Sequence, residues 1–285
     1  MTWQEEFRRK LVIAEEAIQC VQSGMRVYIH PGCAEPEVLV EGLMARGPAV
    51  RNVEIVHLLT LGRADYFARE MEGHFRHNAM FIGGNVRQAV NEGRADYTPI
   101  FLSQVEELFE SGQMPLDIAL IQVSPPDVHG FCCFGVSVDA TQSAVRQAKL
   151  VIAQVNVQMP RTFGDSFVHV RDIDAFVEVS RPLCELKPVV ITDIHHAIGK
   201  NVAGLIEDGA TLQLGIGAIP DAVLLELGSH QDLGLHTEML SDGVMALIDS
   251  GVINGHQKTL HRGKVVLSFV LGIANAAGKH GAVQR

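Results

Sequence analysis

DGATLQLGIGAIPDAVLLEL, residues 208–227, reads as an aliphatic strand that ends in a glycine loop and turns into a helix. Near the other end of the chain, SGMRVYIHPGCAEPEVLVEGL, residues 23–43, reads the same way. In both, a polar residue and a glycine lead into the strand, and a helix follows a Gly-containing loop and a proline. Gly24 pairs with Gly209, Gly32 with Gly217 and Val38-Leu39 with Val223-Leu224 at a constant offset, while the prolines are out of register by one. A βα unit used twice predicts two similar α/β halves.

The rest of the chain supports that reading. Short β-branched and aliphatic runs recur at VEIVHLL (53–59), IALIQV (118–123), LVIAQVNV (150–157), PVVITDI (188–194), LGLHTEML (233–240) and VVLSFVLG (265–272). Helix-like segments such as VLVEGLMARG and VLLELGSHQ lie between several of them. Continuous apolar strands alternating with helices predict an open, mostly parallel sheet covered on both faces. The segment RPLCELKPVV sets two prolines between apolar runs and marks a domain boundary, giving domains 1–189 and 190–285. The second half is the shorter, and its final stretch IANAAGKHGAVQR abandons the strand–helix rhythm, so the second domain reads as truncated, with apolar sheet surface left uncovered around 265–272.

Composition removes several classes. The chain has 285 residues, 47% of them hydrophobic, enough for a large core. With 33 acids against 23 bases and no basic run, a nucleic-acid or anionic-membrane partner is not expected. Five cysteines without metal-ligand spacing (Cys20, Cys33, Cys132, Cys133, Cys184) predict reduced thiols in the cytoplasm. No apolar run reaches the roughly 18 residues of a membrane span, and no metal is expected.

Two elements of the second half carry chemistry. Gly215, Ile216, Gly217, Ala218 and Ile219 form a loop at a strand end, followed by Pro220 in a first helical turn. Glycines allow close backbone approach, and amides at a helix start attract negative charge. Pro220 stands where the dinucleotide fingerprint has its third glycine, which argues against nucleotide redox chemistry. The second element is LGLHTEMLSDG (233–243), where Glu238 interrupts an apolar strand just before a Ser-Asp-Gly turn. Glu238 is either a functional acid or an edge residue accepting hydrogen bonds from that turn. The duplication favours function: the matching strand of the first half, VEIVHLLTLG (53–62), has no carboxylate where Glu238 falls, near Leu58.

GIGAIPDAVL followed by LGLHTEMLSDG closely resembles the acetyl-CoA hydrolase/transferase family, and within it the 4-hydroxybutyrate CoA-transferases. FIGGNVRQAVNEGRADYTPIFLSQV (81–105), VSPPDVHGFCCFGVSVD (123–139) and VNVQMPRTFGDSFVHV (155–170) resemble family segments too. The resemblance covers about residues 1–272. It implies a CoA-transferase-like fold of two open α/β domains, coenzyme A as acyl-CoA co-substrate, a short-chain carboxylic acid as partner, and a homo-oligomer. It also implies that Glu238 is the nucleophile and that the Gly215–Ile219 loop contacts CoA and helps hold the thioester oxygen. Hydrolysis of acyl-CoA on the same glutamate, or an inactive fragment, remains open at this level.

Other residues have plainer readings. His195-His196, His256 and His261 lack a zinc pattern and read as surface or turn residues. Cys132-Cys133 read as core. Cys33 lies in the first-half loop without a feature that activates a thiolate. Arg87, Arg94 and Arg161 read equally well as structural ion pairs. Lys200 or Arg262 would suit the nucleotide end of CoA, and the sequence does not choose between them.

Overall fold

The computed structural model describes residues 2–62, 65–186 and 189–271. The chain divides into two compact units, Met1–Arg161 with Ser166–Cys184, and Thr162–Asp165 with the chain from Glu185 onward.

In the first unit the strands are β1 (Arg26–Ile29), β2 (Val53–His57), β3 (Phe75–Ala79), β4 (Ala95–Tyr97), β5 (Ile118–Val123), β6 (Phe131–Cys133), β7 (Leu150–Asn156), β8 (Phe167–His169) and β9 (Ala175–Val179). The helices are α1 (Trp3–Arg9), α2 (Ala14–Ala17), α3 (Glu37–Arg46), α4 (Arg87–Asn91), α5 (Leu102–Glu110) and α6 (Thr141–Gln147). Seven strands make one sheet in the order β4-β3-β2-β1-β5-β7-β9, and every pairing in it is parallel. β6 and β8 form a separate antiparallel ribbon.

The strand sequences explain why the sheet is sandwiched. Val27, Ile29, Val53, Ile55, Ile118, Leu120 and Ile152 bury one face under Leu39, Val40 and Leu43 of α3. The alternating partners Tyr28, Val56, Ala119, Ile121, Val151 and Val155 bury the other under Val105 and Phe109 of α5 and Ala144 of α6. Period-two alternation with both faces apolar is what a parallel sheet between helices requires. Burial of each large aliphatic side chain contributes about 2 kcal/mol.

The second unit holds α7 (Asp193–Ala203), β10 (Thr211–Leu212), α8 (Ala218–Leu225), β11 (Gly234–Leu235), β12 (Met239–Leu240), α9 (Asp242–Asp249) and β13 (Phe269–Val270). β10 pairs with β11 and β12 with β13, both parallel. A bridge from His236 to Val266 continues the second pairing across the gap between β11 and β12. Gly199 lets α7 approach α8 closely, since a Cβ there would lie 2.6 Å from the Ala222 carbonyl oxygen.

The duplicated unit repeats its hydrogen bonds as well as its strand. Gly24 N donates to Arg51 O at 2.9 Å, and Gly209 N to Gln231 O at 2.9 Å. Glu54 N donates to Met25 O at 2.9 Å, and Gly234 N to Ala210 O at 2.8 Å. The side chain before each glycine holds the returning strand: Ser23 Oγ accepts from Arg51 N at 2.9 Å, and Asp208 Oδ1 from Gln231 N at 2.8 Å. Left-handed residues recur in step, Gly24 at φ 79° with Gly209 at 77°, and Asn52 at 55° with Asp232 at 56°. The register breaks only past the strand, where α8 starts a helical turn earlier than α3.

Some expected strands are shorter or absent. Residues 189–192 are not a strand: Thr192 caps α7, its N–H bonding His195 Nδ1 at 3.1 Å, and this helix start replaces the expected extended run. The stretch 233–240 is not one strand either, because it bends at Thr237–Glu238. Val266, Leu267, Val270 and Leu271 are buried, not exposed as expected, with Gly272 and the final stretch IANAAGKHGAVQR outside the described residues. Exposed apolar side chains of this unit include Ile194, Leu205 and Leu225 on and after its helices, and Val190, Ile216 and Leu260 in its connections.

Candidate active site

The site is built at the carboxyl ends of β10 and β11, where open parallel folds collect ligands. Beyond β11 the chain alternates: Leu235 is buried, His236 exposed, Thr237 buried, Glu238 exposed and Met239 buried. Thr237 turns inward and its hydroxyl makes two bonds to one residue, accepting from Leu214 N and donating to Leu214 O, each at 2.9 Å. Leu214 immediately precedes Gly215. One buried threonine therefore ties the residue before the glycine loop to the residue before Glu238, and brings the two elements together.

Glu238 is fixed by its backbone and free at its side chain. Its carbonyl oxygen accepts from Ser268 N at 2.9 Å and from Phe269 N at 3.2 Å. Among the described residues nothing donates to its carboxylate. Ser241 of the following turn is engaged elsewhere, its Oγ donating to Asp221 Oδ1 of α8 at 3.0 Å.

The loop has the complementary character. Gly215, Ile216 and Ile219 are exposed, with Gly217 and Ala218 half-buried. Gly217 sits at φ 116°, ψ −178°, a conformation that costs any L side chain dearly, and it directly precedes α8. No side chain caps that helix, and no acceptor for the amides of Gly215 to Ile219 occurs among the described residues. A row of free amides at a helix start suits a developing negative charge.

The equivalent loop of the first unit has the opposite character. Residues 30–36 are all buried. His30 Nε2 meets Ser137 O at 2.7 Å, and His30 Nδ1 accepts from Gln122 N at 3.1 Å. Gln122 Nε2 donates to Glu35 O at 3.1 Å, and Gln154 Oε1 accepts from Val38 N at the start of α3 at 2.9 Å. Glu35 Oε2 accepts from Gly62 N at 2.8 Å, while Oε1 is buried without a hydrogen-bond partner among the described residues. Burial pushes the Glu35 carboxyl up to about 8, with the Gly62 amide pulling the other way. A cleft of about 190 Å³ beside it is lined by Glu35, Glu37, Glu41 and Asp65, a poor surface for an anionic substrate.

Several of the remaining candidates fall into structural roles. Arg94 pairs with Glu92 at 2.8 Å and Arg161 with Asp127 at 3.0 Å. Cys132 and Cys133 are buried in β6. His195 caps α7, and His196 lies 3.6 Å from Glu226. Cys33 is buried within the first-unit loop. Among the described residues no group of His, Cys, Asp or Glu side chains is placed to hold a metal ion, and no helix is long and apolar enough to cross a membrane. Thr237 was not legible as a site residue, being a threonine inside an apolar strand.

Residues 1–185 match the family profile of the acetyl-CoA hydrolase/transferase N-terminal domain. The chain belongs to the acetyl-CoA hydrolase/transferase family. Within the family it is 54% identical over 272 residues to the 4-hydroxybutyrate coenzyme A transferase of Clostridium kluyveri, a match that covers 95% of this chain and 63% of that protein. It is 46% identical to the succinyl-CoA:acetate/propanoyl-CoA:succinate CoA transferase of Fasciola hepatica, over 90% of this chain and 54% of the relative. The crystal structure of a 4-hydroxybutyrate CoA-transferase from Porphyromonas gingivalis superposes with a TM-score of 0.87 at 37% identity, covering 99% of this chain and 68% of that one. The chain thus spans less than two thirds of the length of these curated relatives.

Proposed function

We propose that this chain carries the nucleophile of an acyl-CoA:carboxylate CoA-transferase, with Glu238 as that nucleophile. The observation that carries the reading is the Thr237–Leu214 clamp, which sets an exposed, unpartnered carboxylate beside a loop of free amides. Family membership and the activities named for the relatives support the reaction class. Their named acids, 4-hydroxybutyrate and acetate among them, support a short-chain carboxylate as acceptor. We further read 1–189 and 190–285 as two CoA-transferase domains, and the five cysteines, none of them in a disulfide among the described residues, as supporting a cytoplasmic setting. The exposed Ile194, Leu205 and Leu225 support association into a homo-oligomer.

The chemistry follows from the groups. A carboxylate nucleophile needs no general base. A Glu238 oxygen attacks the thioester carbonyl, the C–S bond breaks, and an acyl-glutamyl anhydride and CoA thiolate result. The thiolate then attacks the glutamyl carbonyl, forming a glutamyl-CoA thioester and releasing the first acid as carboxylate. The acceptor acid reverses both steps, which makes the kinetics ping-pong. Anhydride formation from a thioester is uphill, so binding of the long CoA handle must offset it. The 215–219 amides stabilise the oxyanion of each attack, and losing one such donor costs about 3 kcal/mol.

Incubation with an acyl-CoA and no acceptor should leave CoA attached to the peptide spanning 233–243. Borohydride reduces thioesters and not carboxylates, so it should convert Glu238 to its alcohol. Attachment elsewhere, or undiminished attachment in Glu238→Ala, would overturn the assignment.

A further inference from the structure

The two copies of the fold differ in one more place. In the first unit β3 runs beside β2 without a break, Phe75 opposite Val53 and Asn78 opposite Val56. In the second, Ile253 lies opposite Leu233 in the same way, but the chain then leaves and returns only at Val266 opposite His236. Asn254–Lys264 is therefore additional chain, present only in the copy that carries Glu238.

That loop is pinned rather than loose. Gly263 N donates to Gly255 O at 2.9 Å and closes it, while Asn254 N and Gly255 N both reach Leu233 O at 3.0 Å. Lys258 is 5% exposed, and its Nζ donates to Leu235 O and Lys264 O, each at 2.7 Å. Room for its stem comes from Gly234, where a Cβ would lie 2.5 Å from Lys258 Cγ. Burying an ammonium costs stability even with good acceptors, and a merely solvated connection has no need of one.

What the pinned loop presents is cationic. From Ser250 to Leu271 there is no acid, but there are Lys258, Arg262, Lys264 and two histidines, in a chain of net charge −10. Arg262 Nε donates to His256 O at 2.6 Å, and its side chain is otherwise exposed, as is that of Lys264. Asp232, the acid facing this loop, sits at its base on Asn254 at 2.8 Å and 3.9 Å from His256. The His261 ring lies 5.9 Å from that of His236, which shares the exposed side of the strand with Glu238. Two residues along a strand are about 7 Å, so the loop tip is set back from the reacting carboxylate. An anion bound there is therefore set apart from the reacting carbonyl, on another part of the ligand. Lys200, the other cation suited to this role, lies in the last turn of α7, where the helix dipole disfavours an anion.

We propose that the 254–264 loop binds a phosphate of the acyl-CoA nucleotide, with Arg262 and Lys264 as its cations. This rests on the Glu238 reading for the position of the thioester. The test is calorimetric titration of the 285-residue chain with CoA, 3′-dephospho-CoA, pantetheine and inorganic phosphate. Arg262→Ala should weaken CoA roughly tenfold and leave pantetheine unchanged, with Lys264→Ala adding to the loss and both flattening the salt dependence. Wild-type affinity for CoA in the double variant, an equal loss of pantetheine, or wild-type binding of CoA no tighter than of pantetheine would each overturn it. So would loss of inorganic phosphate binding in Arg262→Ala with CoA unaffected, which would mark a general anion site. If CoA attachment maps away from Glu238 while Arg262→Ala still loses CoA selectively, the Glu238 reading falls and the loop stands. Attachment at Glu238 with CoA affinity indifferent to the loop variants sinks the loop alone.

Discussion

The loops after β1 and β10 grow from the same hydrogen-bonded base and end in opposite states. After β1 every residue from His30 to Pro36 is buried, and Gln154 occupies the first free amide of α3. After β10 the loop is largely exposed, uncapped, and tied by Thr237 beside an exposed glutamate. A duplicated scaffold can hold the same unit in two ways, since side chains that satisfy a helix start stabilise the fold, and leaving them out makes a binding surface. In the proposed reading the first unit has the stability role and the second the chemistry.

The largest effect should come from moving the acid between copies. Glu238→Ala should abolish CoA attachment, and adding Leu58→Glu, the matching position of the first copy, should not restore it, by mass spectrometry of the 233–243 peptide and its first-unit counterpart. Attachment at position 58 would break the comparison.

Next is acid lability of the first unit. Burial lowers His30 and His77 to about 4, and His57 well below its ordinary value. Between those values and about 6.5 the unfolded chain binds protons that the folded one does not. Stability is therefore present above pH 6.5 and lost on acidification, by about 1.4 kcal/mol per pH unit for each histidine. Glu35, raised to about 8, has the opposite sign: its contribution is present at low pH and lost as pH rises toward 8. Three groups against one predict maximum stability near pH 6.5. The one tryptophan, Trp3, lies in the first unit, so urea unfolding followed by its fluorescence reads that unit. A flat profile between pH 4.5 and 6.5 would contradict this, and Glu35→Gln should remove the alkaline limb and steepen the acid one.

Gln154→Ala should cost about 1–3 kcal/mol by stranding the Val38 amide and removing one of the two donors to Gln122 Oε1. It should lower Tm without altering attachment at Glu238. An effect on attachment in proportion to Tm would blur the proposed division of roles.

The smallest effect separates two matched glycines. Gly32 at φ 62° lies where an L residue fits at modest cost, so Gly32→Ala should cost about 1 kcal/mol. Gly217 at φ 116° lies outside that region, and Gly217→Ala should cost about 1–3 kcal/mol although nothing lies within 4 Å of the added Cβ. Its attachment rate should fall further than its stability accounts for, because the amides it turns are those beside Glu238.

The sequence by itself determined the fold class, the duplication and the two elements proposed as reactive. These are local properties: period-two apolar runs, glycines ahead of helices, and one acid in a strand whose twin has none. The tertiary structure alone decided which polar residues are buried and what satisfies them. Thr237 reaches Leu214, Lys258 reaches Leu235, and Gln154 reaches Val38 across long stretches of chain. By sequence Lys258 stands between Gln257 and Thr259 and Glu35 before a proline, and nothing local marks either as buried. A buried polar group is stable only where distant backbone meets its donors and acceptors, and no local pattern records where that backbone passes.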